Sequence, residues 1–305
     1  MMKSLHLLLL SLAALAAASP LQASFKASPA HMNAELLLNI TKGLRHPSDL
    51  IFGGQKATRG QWPWQAFLYI SNSKGEKFIC GGSLLSKRHV LTAAHCTEDL
   101  ASPSYAMLGL VNIETASKTP GVEIKEISSF KNYPDYTGAG SVYDDIAILT
   151  LKEEVELSEY VKIVKIKEDD SQLLEQKTDT VSGFGTYTYK NGETVSSPDL
   201  LYTAVDYIDH DWCKQRWAKM TGDEVKVWDR QICAGSDQKG AGPGDSGGPL
   251  QTKLDGDWFQ IGLVSFGVNG EEESQNQADF PAVYTRVANY CDFIKKQTGG
   301  DFKCL

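Results

Sequence analysis

An all-β protein of sandwich or barrel class is what this sequence predicts, and three observations carry the prediction. Short runs rich in β-branched, aromatic and aliphatic residues recur along the 305-residue chain from residue 51 onward. Gly, Pro, Asn and Asp punctuate them at short intervals, as turns between strands require. All six cysteines also lie after residue 50, an even set that suits a disulfide-braced extracellular domain. Evenly spaced short strands of this kind close into sandwiches or barrels.

Taken in order, the strand candidates are Gln65–Ile70, Lys77–Cys80, Gly82–Leu85, His89–Thr92, Ile146–Leu151, Thr178–Gly183 and Gln260–Phe266. The charged stretch Lys152–Gln176 reads as a crossing between two halves of the domain. Asn289–Gln297 carries a helical apolar pattern near the C-terminus.

Residues 1–18 read as a secretory signal peptide. Lys3 supplies the positive start, Leu5–Ala18 is apolar or small, and Ala16-Ala17-Ala18 fits a cleavage pattern. The run is too short to span a bilayer comfortably, and no later stretch qualifies as a transmembrane helix. A secreted, extracellular, soluble chain with no membrane partner is expected. Residues 19–50 read as a propeptide with a short amphipathic helix at Asn33–Leu44 and a glycosylation sequon at Asn39-Ile40-Thr41. It has no cysteine to tether it after cleavage. The whole chain has a net charge of −8. Residues 1–50 hold four basic and two acidic residues, so the remainder is near −10. Nucleic acid is thereby excluded as an expected partner.

The most informative stretch is Gly244-Asp245-Ser246-Gly247-Gly248-Pro249-Leu250. Glycines around one serine permit a tight turn that lifts the hydroxyl into a cleft. Such a turn can also aim the amides of Gly244 and Ser246 at one point, where a developing oxyanion would sit. Thr92-Ala93-Ala94-His95-Cys96 offers a base, and Asp144-Asp145-Ile146-Ala147-Ile148-Leu149 a carboxylate. The chain order His, Asp, Ser is one of the known arrangements of a nucleophilic triad.

These three segments strongly resemble the trypsin/chymotrypsin family of serine proteases. Ile51-Phe52-Gly53-Gly54 and Val283-Tyr284-Thr285-Arg286-Val287 extend the likeness over about residues 51–298. The resemblance implies two six-stranded antiparallel barrels within one domain, 51–305, spanning about 51–160 and 175–285, with the cleft between them and a short C-terminal helix. It implies a secreted serine endopeptidase made as a zymogen, with Ser246 as nucleophile, His95 as base and Asp145 as its orienting carboxylate. Asp145 is chosen over Asp144 because it directly precedes Ile-Ala-Ile-Leu, and strand alternation would leave Asp144 as a solvated charge. His6, His31, His46, His89 and His210 are weaker base candidates, with His89 in a strand and His210 in a polar loop. Cleavage between Leu50 and Ile51 would free an amine that pairs with Asp245 and orders the oxyanion loop. The family pattern pairs Cys80 with Cys96 and Cys213 with Cys233, which leaves Cys291 for Cys304.

The specificity pocket maps to Gly240 and Ala241 at its floor, Ala282 at its rear wall and Gly267 at its entrance, after Ser265 and Phe266. Small uncharged residues there imply an open pocket for a large apolar P1 side chain (the residue before the scissile bond). Backbone at Ser265 and Gly267 is expected to pair with the substrate strand. Three departures stand out: Gly242 replaces a pocket cysteine, Pro243 precedes Gly244, and the loop 269–279 carries Glu271, Glu272 and Glu273. That acidic loop is the alternative route to a trypsin-like preference for basic residues; a catalytically inactive binding homologue is a second alternative. Leu110 stands where calcium-binding members carry Glu, so no metal is expected, and no cofactor. Expected partners are protein or peptide substrates and protein protease inhibitors, with the enzyme a monomer.

Overall fold

The computed structural model describes residues 51–138, 143–268 and 270–305. The expectations for the signal peptide, the propeptide, Asn39 and Leu50 lie outside the described residues.

Two closed six-stranded antiparallel barrels form the molecule. The first holds β2 (Gln65–Asn72), β3 (Lys77–Leu84), β4 (His89–Thr92), β5 (Leu100–Leu108), β6 (Glu123–Asn132) and β7 (Ala147–Leu151). It closes in the order β2-β3-β4-β7-β6-β5. The second is built on β8 (Thr178–Gly183), β11 (Leu201–Ile208), β12 (Gln231–Gly235), β13 (Pro249–Leu254), β14 (Asp257–Phe266) and β15 (Ala282–Arg286). It closes where β11 pairs with β8. A small hairpin of β9 (Thr186–Lys190) and β10 (Glu193–Ser196) stands apart. Among the described residues no helix is long and apolar enough to cross a membrane.

Side-chain alternation explains why these strands curl into barrels. In β2, Ala66, Leu68 and Ile70 point into the first barrel with Val90, Leu108 and Leu149. Phe67 and Tyr69 point outward into a larger cluster with Trp62, Trp64, Phe184 and Leu263, where the barrels meet. Buried hydrogen bonds cross the same seam. Ser182 donates to Gln65 Oε1 at 2.7 Å, Trp64 Nε1 to Gln251 Oε1 at 2.7 Å, and Ser83 to Gln260 Oε1 at 2.6 Å. Each satisfies a polar group that water cannot reach, and together they fix how the two catalytic faces confront one another.

Several elements differ from expectation. Lys77–Cys80 and Gly82–Leu84 form a single strand, β3, with Leu85 just beyond it, because paired glycines interrupt a hydrophobic pattern without breaking a ladder. The short β1 (Gln55–Lys56) pairs with Tyr202 and Leu201, so the first described segment belongs to the second barrel. The crossing 152–176 contains one helical turn, Ser171–Leu174. It is pinned by a two-point pair in which Arg286 donates to both oxygens of Asp170, at 2.9 and 2.5 Å. The C-terminal helix is shorter than expected, Cys291–Gln297, after a 3-10 turn at Val287–Tyr290. Disulfides join Cys80 to Cys96, Cys213 to Cys233 and Cys291 to Cys304.

Candidate active site

β4 ends at Thr92, and the chain turns at once into a 3-10 turn, Ala94–Thr97, which carries His95 into the cleft between the barrels. The Cys80–Cys96 disulfide ties that turn to β3. Asp145 sits just before β7, beside β4, and is only 2% exposed. Its Oδ1 accepts the His95 backbone N–H at 2.9 Å, and its Oδ2 lies 2.8 Å from His95 Nδ1. A carboxylate bonded at Nδ1 places the other ring nitrogen, Nε2, at the cleft as the acceptor of a proton. Burial, the strongest single influence on the ring, disfavours its charged form. The Asp145 charge, its hydrogen bond and Glu98 outweigh that, and the His95 pKa stands above its ordinary value.

The second barrel holds Asp145 from behind. Ser265 Oγ donates to Asp145 Oδ2 at 2.6 Å, and Thr285 Oγ1 donates to the Asp145 carbonyl at 2.9 Å. The sequence predicts only a substrate-pairing backbone role for Ser265; its hydroxyl braces the carboxylate. A register shift between Val264 and Phe266 turns Ser265 out of the regular β14–β15 ladder and frees it for this contact.

Asp144 corrects the expectation of a solvated charge. It lies before the strand rather than in it, with φ of 53°, a left-handed conformation that Asp tolerates better than most residues. Its side chain is buried, paired with Arg230 at 3.0 Å and hydrogen-bonded by the Tyr290 hydroxyl at 2.8 Å. The two neighbouring aspartates therefore face opposite ways, one to His95 and one to a structural ion pair. His210 also departs from expectation, being the first residue of a helix, His210–Thr221, rather than a loop residue. His89 is buried at the start of β4, beside the Ser86 hydroxyl.

Ser246 arrives on a turn packed against β3. Gly81 N–H donates to the Ser246 carbonyl at 2.7 Å. At Gly247, φ is 75° and a Cβ would lie 2.1 Å from Thr92 Oγ1, so only glycine lets this turn approach the His95 segment. The Gly244 and Ser246 amides face no hydrogen-bond acceptor among the described residues. No hydrogen bond joins the Ser246 hydroxyl to His95 among them either. Contacts of this type commonly tighten only when substrate arrives.

Behind Ser246 lies Asp245, fully buried. Its carboxylate accepts Gly185 N–H at 2.8 Å and Gly242 N–H at 2.9 Å. A Cβ on Gly185 would lie within 2.6 Å of this carboxyl group, so the approach needs glycine. Burial pushes Asp245 up to about 7, against the pull of those two amides. Ile51 is likewise fully buried, packed with Tyr187 and Leu201. Phe52 stacks on Tyr189 at 6.1 Å.

A cavity of about 370 Å³ opens beside Ser246. Its apolar wall comes from Ala241, Val264, Phe266, Val268, Phe280 and Ala282. Gly267 at the mouth has open space where a Cβ would be. Gly242, in place of the pocket cysteine, is crowded: a Cβ there would lie 2.5 Å from the Thr186 carbonyl. One expectation needs correction. Gly240 does not line the cavity, because the Gln277 side chain lies over it. The long loop 269–279 thus reaches the pocket through Ser274 and Gln277, while Glu271 and Glu272 stay exposed. Sequence reasoning missed Gln277; the only hint was the length of that loop. Leu110 packs into the apolar core between the barrels.

A cleft with an aspartate-backed histidine, a glycine-turned serine and a buried aspartate behind it is now assembled. The family model Trypsin matches residues 51–294. The chain belongs to the trypsin family of serine proteases. It is 38% identical over 253 residues to venom serine protease Bi-VSP of Bombus ignitus, covering 79% of this chain and 66% of that protein. It is 34% identical over 261 residues to tryptase of Mus musculus, covering 83% and 90%. It is 33% identical over 250 residues to chymotrypsin-C of Bos taurus, covering 81% and 88%. The chain therefore spans 66% of the length of the Bombus relative.

Proposed function

We propose that this chain is a secreted serine endopeptidase, made as a zymogen, that cleaves after large apolar residues. One observation carries the reading: Asp145 clamps both the backbone and Nδ1 of His95 across the cleft from a glycine-turned Ser246, beside an apolar-walled cavity of about 370 Å³. In this reading Ser246 Oγ attacks the scissile carbonyl carbon while His95 Nε2 takes its proton. The carbonyl oxygen gains negative charge, which the Gly244 and Ser246 amides stabilise. His95 then gives the proton to the leaving amine, and the acyl-enzyme forms. Water repeats the sequence, with His95 again as base, and frees the acid. Asp145 keeps the ring tautomer fixed and offsets the imidazolium charge at each transfer.

Activation follows from the burial of Asp245. An uncut chain offers it an Ile51 amide; a chain cut after Leu50 offers an α-ammonium. Leu50 is itself an apolar P1 residue, so mature enzyme would activate its own precursor in trans. Peptide and protein substrates, protein inhibitors and a monomeric state complete the reading.

The test is a peptide-library profile of the mature protein, with the Ser246→Ala variant as blank. Cleavage after Phe, Tyr, Leu and Met is expected from the wild type. The variant is expected to lose on the order of 10⁶ in kcat, because triad members act as a unit. Cleavage confined to Lys and Arg would reject the apolar pocket, and near-normal turnover by the variant would reject Ser246 as nucleophile.

A further inference from the structure

A second cavity, of about 200 Å³, is bordered by Asp144, the residue before Asp145. It shares no described lining residue with the cavity beside Ser246. Its wall includes Tyr143, Trp228, Asp135 and Arg230. Trp228 is 52% exposed, the most open of the six tryptophans. Tryptophan rings are mostly buried, so an open one on the wall of a cavity points to a partner that covers it. The ring is held ready. Trp228 N–H donates to Gln231 Oε1 at 2.9 Å, and Gln231 N–H returns a bond to the Trp228 carbonyl at 2.9 Å. The Tyr143 ring lies against it, centroids 4.6 Å apart and tilted by 55°.

Three charged side chains reach this cavity, two carboxylates and one guanidinium, so its lining carries one net negative charge. Arg230 and Asp144 offset each other: Nη1 lies 3.0 Å from Oδ1, and Nη2 donates to Oδ2 at 3.1 Å. Asp135 is exposed and makes no hydrogen bond or ion pair among the described residues. Asp229, next to Trp228 in the chain, is already held by Lys214 at 2.5 Å. An anion here would be repelled by Asp135. An apolar side chain would cover that carboxylate and take it from water unpaired. A cation gains from the carboxylate and from the faces of the two rings. A guanidinium suits the place better than an ammonium, because it is planar, stacks on an indole and sheds its water more readily. We infer that this cavity is an accessory docking site for one arginine side chain of a protein partner, gripped between Trp228 and Asp135. The site goes beyond the reading of Ser246 and its neighbours and does not depend on the P1 preference.

The experiment follows the indole signals of the mature Ser246→Ala protein by NMR, with tryptophan nitrogen labelled. The probes are N-acetylarginine methylamide, its citrulline and glutamate analogues, and methyl glucoside. The Trp228 signal, identified by its loss in Trp228→Phe, is expected to shift saturably with the arginine probe. Binding of that probe beside Ser246 instead would leave the Trp228 signal in place. The citrulline probe keeps the shape without the charge and is expected to bind about fivefold more weakly, the upper worth of an exposed ion pair. Asp135→Asn is expected to weaken arginine binding by about the same factor, and the wild-type affinity should fall as salt rises. The other five indole signals report that each variant is folded. No saturable shift at Trp228, equal binding of the citrulline probe, or an arginine affinity unchanged in Asp135→Asn overturns the inference. A shift given only by the glutamate probe or by methyl glucoside assigns the cavity to an anion or a sugar and overturns it too. Should Asp135→Asn fail to fold, the comparison of arginine with citrulline on the unaltered cavity still decides.

Discussion

Asp145 and Asp245 are both buried aspartates of one active site, yet the chain surrounds them differently. Asp145 receives the His95 backbone amide, the His95 ring and the Ser265 hydroxyl, three donors drawn from both barrels. Asp245 receives two amides from its own barrel and is pushed up to about 7. The first site is complete as the chain folds. The second is a buried carboxylate that, in the proposed reading, an ammonium group completes, with the Ile51 segment seated in the same barrel. In the proposed reading Asp145 belongs to a permanent part of the catalytic apparatus and Asp245 to a switchable part. A third aspartate sharpens the contrast. Asp179 in β8 is 1% exposed and has Thr252 beside it on β13, but neither of its oxygens makes a well-formed hydrogen bond. Burial also pushes it up to about 7, the Thr252 hydroxyl opposing.

The largest effect in this comparison belongs to the completed site. Asp145→Asn is expected to cost about 10⁴ in kcat, because the ring loses its enforced tautomer and its counter-charge. The acid limb gives an independent check. His95 must be neutral to act, and Asp145 holds its pKa above the ordinary value. With the charge removed, burial dominates and the acid limb of kcat/KM is expected to move to lower pH. An unmoved limb would mean that another group controls it.

Next comes the switch. Asp245→Asn is expected to lower activity of the cleaved protein by roughly 10² to 10³, the usual scale for breaking one buried ion pair. The pH dependence has a definite sign. Pairing raises the amine pKa above its free value of about 8, so the active state is favoured below that value. That contribution is lost as pH rises through the higher folded value. An alkaline limb should appear in the wild type and vanish once the Ile51 amine is acetylated, along with most activity. A limb unchanged by acetylation would remove Ile51 from the account.

The smallest effect falls on stability. Asp179 holds its proton more tightly folded than unfolded. Its contribution is full below about pH 4 and is lost as pH rises through about 7. Asp179→Asn is therefore expected to flatten the fall in Tm between pH 5 and pH 8 while leaving kcat/KM near the wild-type value. An unchanged Tm profile would show that the Asp179 pKa is not raised in the folded protein.

Much of this was legible in the sequence because the relevant chemistry is local. β4 and β8 begin and end where the residue pattern says, and the serine turn announces itself through its glycines. Other elements hid for physical reasons. β6 carries Glu123, Lys125, Glu126 and Lys131 and bulges between Ile127 and Ser129, so its alternation is broken. β5 contains Pro103 and two serines, which weaken its strand pattern. Asp144 departs from the solvated-charge expectation because it precedes β7 in a left-handed conformation, where strand alternation does not apply. Ser265 and Gln277 act through partners 120 and 36 residues away, and no local pattern encodes such contacts.

In the proposed reading the Ile51 amine completes the second barrel's half of the site. The most direct measurement is the rate at which a fluorophosphonate labels Ser246 before and after a defined cut. A precursor whose residues 46–50 are replaced by an enteropeptidase recognition sequence allows cleavage immediately before Ile51. Labelling is expected to rise at least about a hundredfold on cleavage, as one restored buried ion pair would give. The rise should be absent in Asp245→Asn. Equal labelling of cut and uncut protein, or a full rise in Asp245→Asn, would contradict it.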